Sequence, residues 1–431
     1  MNILNRIAFH AEHAVKGVLF DCHACGQCVL RKTALICPMR CPKGLRNGPC
    51  GGTLDGACEV HPDRRCIHVR IDTARHGTAL VTPPILPAPD PRLFNTASVA
   101  NLINGKDQPA RLPHPALTSD AEAVSRPVAT ASRLEAALKS GRFVVTTEIR
   151  TPRSPRLDRL TAEAQVLAPH FDAINATAFL NGCPSLPSSM AAAELARLGI
   201  DAIAQATCRD HTRTTFLGEV MACHQAGVHN LLCLTGDAGR GEPPAHAVFE
   251  MDSSLMLYEA RHLRDTHRLR ASGDEVANHP RPFLGCAINP YTTPAEVPVR
   301  RLLQKAAAGA DFIQTQILTE SAVLAAFMAT ARSVGLHRRL FTLAGIPVVV
   351  SAKALAMLPT VPGVRVDPAF RARLESAKDL RAEGIATAIV LIRQVRAIDG
   401  VHGVHLMLFG ADHHALIEVR QAIEPAAVGI A

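Results

Sequence analysis

The sequence predicts an α/β protein built on a (β/α)8 TIM barrel, with a small cysteine-rich, metal-binding domain and a proline-rich linker in front of it. Three observations support this prediction. Eight short apolar runs follow one another after Ser132, amphipathic segments separate these runs, and eight of the thirteen cysteines lie between Cys22 and Cys66. Eight strand–helix units are the number that closes a parallel barrel.

The eight runs lack the polar–apolar alternation of half-exposed strands, as expected for parallel strands covered on both faces. An open doubly wound sheet is the alternative, but no glycine-rich dinucleotide-binding loop follows the first run. The runs cover residues 142–149, 171–177, 201–207, 230–236, 282–289, 311–317, 340–350 and 403–409.

The chain divides into three predicted parts: a cysteine-rich domain (1–75), a linker (76–130) and the barrel (131–431). The linker contains "TPPILPAPDPRLF" and further prolines at 109, 113 and 115. Proline removes a backbone donor and restricts φ, so this stretch either wraps along a surface or is a plain tether.

Composition excludes several functional classes. The chain is 48% hydrophobic and has no apolar run of eighteen residues, so we expect a large core and no membrane span. Its net charge of +8 comes with 4% aromatic residues and no Trp, which argues against nucleic-acid binding. His10, Glu12 and His13 interrupt the first apolar stretch, so we expect no secretion signal, a cytoplasmic location and reduced thiols.

Reduced cysteines at this density are typical of metal ligands. C-x2-C-x2-C followed by C-P resembles bacterial [4Fe–4S] motifs, although the gap of eight residues is longer than the usual three. Eight thiolates suffice for two four-thiolate sites, and two structural zinc ions are the alternative. The predicted metal ligands are Cys22, Cys25, Cys28, Cys37, Cys41, Cys50, Cys58 and Cys66.

Polar residues recur where the apolar runs end. In a barrel, these positions meet at the carboxyl-terminal mouth, where the active sites of such barrels lie. We therefore expect one site lined by Glu148, Thr177, Gln205, Asp237, Asn289 and Gln316.

The segments "VVTTEIRTP", "DAINAT", "AQATCRD", "NLLCLTGD", "KAAAGADFIQTQ" and "GVHLMLF" resemble, in order, the methylenetetrahydrofolate reductase barrel over about residues 132–423. The resemblance implies a non-covalently bound flavin, usually FAD, and a folate substrate. The implied reaction reduces 5,10-methylenetetrahydrofolate to 5-methyltetrahydrofolate, in one-carbon metabolism and methionine biosynthesis.

The resemblance also implies residue roles. Glu148 matches the general acid that protonates the departing nitrogen; a solvated glutamate is ionised at neutral pH, so we expect burial to favour its protonated form. Asp237 matches the carboxylate that faces both flavin and pterin and stabilises the iminium formed as the folate ring opens. Gln316 matches a folate-binding glutamine, and Lys305 and Thr177 match flavin contacts.

Three departures from the family concern the flavin. Gln205 is assigned to the cofactor site where the family often has His, Thr235 replaces an Arg, and an aspartate expected before the Lys305 helix is replaced around Pro298. The lost Arg and aspartate would hold the flavin's phosphate and ribose, so FAD and FMN stay alternatives. No nicotinamide-stacking aromatic is identifiable, which argues against NADH as the direct donor and leaves NAD(P)H and an electron-donor protein as alternatives.

The segments "DCHACGQC", "CPMRCPKGLRNGPCGG", "GACEV" and "RCIHVRI" resemble the methylenetetrahydrofolate reductase C-terminal family over about residues 10–75. Such domains carry iron–sulfur clusters that pass electrons to the barrel's flavin. We expect the glycines of "NGPCGG" to give the backbone freedom around Cys50, so that amides can turn towards cluster sulfurs.

Two other functions stay open at this point. One is a folate-binding methyltransferase barrel with a zinc-binding domain, and the other is a non-catalytic scaffold stabilised by zinc. The sequence leaves the oligomeric state open.

Overall fold

A computed structural model describes residues 3–106, 130–239 and 246–424. Its centre is a closed barrel of eight parallel strands in sequence order, which confirms the predicted fold. The strands are β1 (Val144–Ile149), β2 (Ala173–Ala176), β3 (Ala202–Thr207), β4 (Asn230–Leu234), β5 (Phe283–Ile288), β6 (Phe312–Ile317), β7 (Phe341–Val348) and β8 (Gly403–Leu408).

Helices surround the barrel. The N-terminal region contributes α1 (Ile3–Phe20), α2 (Ile67–His76) and α3 (Ser98–Ile103). The barrel region contributes α4 (Arg133–Lys139), α5 (Asp158–Leu167), α6 (Ser188–Arg197), α7 (Arg213–Gln225), α8 (Ser253–Thr266), α9 (Glu296–Ala308), α10 (Ser321–Ser333), α11 (Ala352–Met357), α12 (Pro368–Glu375), α13 (Leu380–Arg396) and α14 (His413–Ala422).

Helix α4 closes the amino-terminal end of the barrel. Its Leu134 and Leu138 are buried in one apolar cluster with Phe283 and Phe312, whose rings stack at 5.0 Å. With this end filled by apolar side chains, the polar strand ends are left at the opposite, carboxyl-terminal mouth.

The N-terminal region is mostly loops and short 3-10 turns between α1 and α2. Such a region has little regular backbone hydrogen bonding, so contacts with the barrel have to order it. Arg300 of α9 is completely buried and donates from Nε to Asp72 of α2 at 2.8 Å and from Nη1 to the Ala79 carbonyl at 2.9 Å.

Part of the predicted linker packs against the barrel. Ile85 is fully buried in the main apolar core, and Leu86 exchanges two hydrogen bonds of 2.8 Å with the Asn47 side chain. Gln304 of α9 donates to the Pro84 carbonyl at 2.7 Å. Residues 107–129 of the predicted linker lie outside the described residues.

Among the residues that the structure describes, no helix combines the length and the apolar character needed to cross a bilayer.

We predict that Asp72→Ala lowers the free energy of unfolding by about 3–5 kcal/mol, because it leaves the Arg300 guanidinium buried without its carboxylate. Urea unfolding of the full chain measures the change. The control is Glu375→Ala, which breaks an exposed pair with Arg371 and should cost less than about 0.5 kcal/mol. Equal losses of unfolding free energy in the two variants would show that the Asp72–Arg300 contact does not stabilise the packing of α2 against α9.

Candidate functional site

A cavity of about 230 Å3 opens at the carboxyl-terminal mouth of the barrel. Six of the seven barrel residues predicted for the site line it: Glu148, Gln205, Asp237, Asn289, Lys305 and Gln316. Thr177 is not among the lining residues; it is buried, and its hydroxyl accepts a hydrogen bond from the Thr151 amide at 3.3 Å.

Glu148, at the end of β1, faces a histidine that the sequence analysis did not single out. Nε2 of the buried His405 lies 3.6 Å from the Glu148 carboxylate, and its Nδ1 lies 3.0 Å from the Thr146 hydroxyl. The register of β1 with β8 pairs Thr146 with His405, which places the imidazole beside the carboxylate. His405 therefore lies at ion-pairing distance from Glu148, whose side chain is 24% exposed and thus less buried than the sequence analysis expected.

Lys305 places a cation beneath the cavity. Its side chain is buried in α9, and Nζ donates to the Ala287 carbonyl at 2.5 Å. Burial lowers the pKa of Lys305. Gln205 lies on the neighbouring wall, where its side-chain oxygen accepts from the Ala178 amide at 3.1 Å.

Two glutamines of β6 reach the cavity. Gln316 donates to the Pro362 carbonyl at 2.8 Å and accepts from the Ile317 amide at 2.9 Å. One N–H and one lone pair of this amide stay available to a ligand. Gln314 crosses the barrel interior to a reciprocal pair of hydrogen bonds with Asn175, at 2.9 and 3.2 Å.

The loop after β4 carries Asp237, and Arg209 holds this loop. The buried Arg209 pairs with Asp210 and donates to the main-chain carbonyls of Asp237 and Phe179, at 3.2 and 2.7 Å. One guanidinium thus joins the loops that follow β2, β3 and β4. Its planar array of donors suits this task.

A loop of the cysteine-rich region enters the barrel mouth. Cys50, Gly51, Gly52 and Glu59 line the same cavity as Glu148. The Asn289 side-chain amide at the end of β5 donates to the carbonyls of Gly51, Thr53 and Gly363, at 2.9, 3.1 and 3.0 Å. Asn289 therefore anchors the entering loop to the barrel.

A buried ion pair fixes the other side of this loop. Lys43 and Glu59 lie 2.7 Å apart, with only 4% and 5% of their side chains exposed. Lys43 also donates to the Gly236 carbonyl at 2.8 Å, and Glu59 accepts from the Ala238 amide at 2.9 Å. Both charges thereby contact the loop that carries Asp237.

The glycines around Cys50 permit close packing. Gly48, Gly51 and Gly52 do not adopt the left-handed φ that favours glycine. A Cβ on Gly52 would lie 2.1 Å from the Glu59 carboxylate, and one on Gly48 would lie 2.4 Å from the His68 ring. The expected conformational freedom is thus not what requires glycine here.

The eight predicted metal ligands fall into two groups. We call Cys22, Cys25, Cys28 and Cys37, which line one cavity, the first quartet. We call Cys41, Cys50, Cys58 and Cys66, which line a second cavity, the second quartet. The division follows chain order, with four successive cysteines in each group.

Backbone amides approach several of these thiols. The Ala24 amide donates to Cys22 Sγ at 3.4 Å, and the amides of Lys43 and Leu45 donate to Cys41. Burial raises the pKa of Cys41 to about 11 and that of Cys50 to about 12, so binding a metal here has to release protons. Within the three described ranges, no three Cys, His, Asp or Glu side chains converge closely enough to hold one metal ion.

The three cavities are connected through shared residues. Met39 lines the cavities of both quartets, and Cys50 and Glu59 line both the second-quartet cavity and the barrel mouth. The second quartet therefore lies between the first quartet and the barrel mouth.

Sequence reasoning missed Lys43, Glu59, Arg209 and His405 as parts of this site. His405 lies in the eighth apolar run, which a closed barrel pairs with the first run. That pairing is the signal that could have placed His405 near Glu148. Lys43 and Glu59 offered no local signal, because their meeting depends on how two cysteine loops fold together.

Family comparison finds two matches along the chain. Residues 133–421 match the family described as Methylenetetrahydrofolate reductase. Residues 1–80 match the family described as Methylene-tetrahydrofolate reductase C terminal.

Among solved structures, the chain is similar to an uncharacterized protein from Clostridium thermocellum that binds two copies of 5-methyl-5,6,7,8-tetrahydrofolic acid. The TM-score is 0.51 at 12% identity, over 67% of this chain and 97% of that chain. EDTA monooxygenase from Chelativorans sp. BNC1 gives a TM-score of 0.43 at 12% identity, over 65% and 92% of the two chains.

We predict that Asn289→Ala releases the loop of residues 50–53 from the barrel mouth. Three buried carbonyls lose a donor, so the free energy of unfolding should fall by about 2 kcal/mol. Hydrogen exchange at residues 50–53 should accelerate, while exchange in β1–β8 should stay slow. Asn104→Ala, at an exposed helix end, is the control. Unchanged exchange at residues 50–53 would contradict the anchoring role of Asn289.

Proposed function

The chain belongs to the methylenetetrahydrofolate reductase family, and on that premise we propose that it reduces 5,10-methylenetetrahydrofolate to 5-methyltetrahydrofolate with a bound flavin. We further propose that iron–sulfur clusters in the cysteine-rich domain supply the electrons. One observation carries the proposal: Cys50 of the second quartet lines the same cavity as Glu148, Asp237 and Gln316.

The residues of the mouth suit a flavin. Leu180, Leu232 and Met407 give the cavity an apolar surface for a ring system, while Gln205 and Lys305 offer an amide and a cation to its polar edge. When bound, the flavin supplies the hydride. FAD is the family's usual cofactor, with FMN as the alternative.

The chemistry requires a proton on the folate. Glu148 protonates N10, the bond between N10 and the bridging carbon breaks, and that carbon then receives the hydride to become the methyl group. His405 holds the Glu148 carboxyl group in position during this transfer. Asp237 stabilises the positive charge that develops when the ring opens, and Gln316 binds the pterin edge.

The two quartets suit two [4Fe–4S] clusters. Each thiolate of such a cluster binds a different iron, so four thiols distributed around a cavity match its ligand set. Amides directed at Cys22 and Cys41 are the donors that stabilise sulfur ligands. The order of the cavities, with the second quartet beside the barrel mouth, supports electron transfer from that quartet to a flavin bound in the mouth. Zinc in the same quartets would leave the barrel without this electron source.

We predict that Glu148→Gln slows folate reduction by the chemically reduced enzyme about 10²–10⁴-fold, because glutamine cannot donate the proton. Anaerobic stopped-flow measurement of flavin reoxidation gives the rate, and flavin content should be unchanged. Glu375→Gln, at an exposed site on α12, is the control. A full rate in Glu148→Gln would remove Glu148 from the role of general acid.

Cofactor content tests the electron source. Anaerobically purified protein should be yellow-brown and contain flavin, iron and acid-labile sulfide, and dithionite should bleach both chromophores. The combined Cys41→Ser and Cys66→Ser variant should lose the iron of the second quartet while keeping that of the first quartet and the flavin. Purified protein that contains zinc and flavin but no iron would refute the electron relay and leave the reductase proposal standing.

A further inference from the structure

The structure contains seven buried lysine and arginine side chains among its described residues: Lys43, Arg46, Arg209, Arg264, Arg300, Arg301 and Lys305. Five of them have a described carboxylate within 4.0 Å. Arg46 and Lys305 are the exceptions. Lys305 lies beneath the barrel-mouth cavity, and Arg46 lies against the first quartet.

Arg46 is 4% exposed, and its contacts leave its charge uncompensated. Nη2 lies 3.5 Å from Cys25 Sγ and donates to the Gln27 carbonyl at 3.1 Å, and Nη1 donates to the Pro87 carbonyl at 3.4 Å. The buried Nε has no hydrogen-bond partner among the described residues. A guanidinium stays protonated, and burying it without an anion is costly.

The second quartet has a different environment. Lys43 is its buried cation, and the Glu59 carboxylate at 2.7 Å neutralises it. Arg40, Arg64, Arg65 and Arg70 also line that cavity, but they are exposed and water screens their charges. At the first quartet, the partly exposed Lys16 is paired with Glu12. Arg46 is therefore the one buried cation in the described chain that lacks a carboxylate partner and also contacts a cysteine sulfur of either quartet.

We propose that Arg46 is the counter-charge of a four-thiolate cluster in the first quartet and raises its reduction potential above that of the cluster in the second quartet. This inference rests on the proposed function, because it requires clusters in both quartets. Adding one electron makes a cluster more negative, so a buried cation and an N–H···S contact favour its reduced form. The cluster in the first quartet then accepts an electron at a higher potential than the cluster in the second quartet. Donors too weak to reduce the second cluster can therefore reduce the first.

The test is an EPR-monitored redox titration of the anaerobically purified full chain, with iron content measured in parallel. Cys28→Ser and Cys58→Ser assign the two signals to their quartets. Arg46→Gln should lower the equilibrium constant for one-electron reduction of the first cluster at least tenfold. This change corresponds to a reduction potential lower by about 59 mV. The reduction potential of the second cluster should not change. Arg46→Lys should give a smaller shift, and Arg31→Gln, at an exposed arginine, none.

Glu59→Gln provides the reciprocal measurement. It leaves Lys43 without its carboxylate, so the second cluster should become easier to reduce. If Arg46→Gln loses the first cluster, Arg46→Lys decides, because it keeps a positive charge but changes the donor geometry: an unchanged first potential overturns the assignment, and a lowered one supports it.

Two outcomes separate the inference from the proposed function. If the parent protein holds two clusters and Arg46→Gln leaves both reduction potentials unchanged, the role of Arg46 is overturned. The relay proposal then stays intact. A parent protein without iron would overturn both, whereas the Glu148→Gln rate tests the reductase separately.

Discussion

The buried Lys43–Glu59 ion pair is the contact on which the arrangement of the two domains depends. Both residues belong to the cysteine-rich domain, yet each has a hydrogen bond to the loop that carries Asp237. Removing either charge would leave the other buried and unpaired, which is far costlier than losing a surface pair. Asn289 anchors the opposite side of the same loop, so Cys50 stays in the wall of the barrel mouth.

This arrangement brings the second quartet to the barrel mouth within one chain. Cys50 and Glu59 face the second quartet on one side and the barrel-mouth cavity on the other. Gly52 lacks a Cβ where one would collide with Glu59, and Gly363 lacks one where it would lie 2.3 Å from the Gly51 carbonyl. The first approach packs the loop of the cysteine-rich domain against itself, and the second brings the backbones of the two domains together at Gly363 and Gly51.

Charge compensation gives a second organising constraint. Buried cations at structural interfaces, such as Arg300 and Arg264, have carboxylate partners. Lys305 and Arg46 have no carboxylate within 4.0 Å in the part of the chain that the structure describes, and both lie where the proposed function puts an anionic or electron-rich group. A buried charge needs a partner, so cations with a carboxylate stabilise the fold. The two cations without one are those that the proposal assigns to a bound group.

The barrel could be predicted from the sequence because its cause is local: unalternating apolar runs demand burial on both faces, and polar residues at their ends meet at one mouth. For this reason Glu148, Gln205, Asp237 and Gln316 were identifiable and do line one cavity. Tertiary structure alone decided that His405 lies beside Glu148, that the cysteines divide four and four, and that Arg46 contacts Cys25. These features are contacts between side chains whose separation in space depends on strand register and loop packing, and no local pattern encodes such distances.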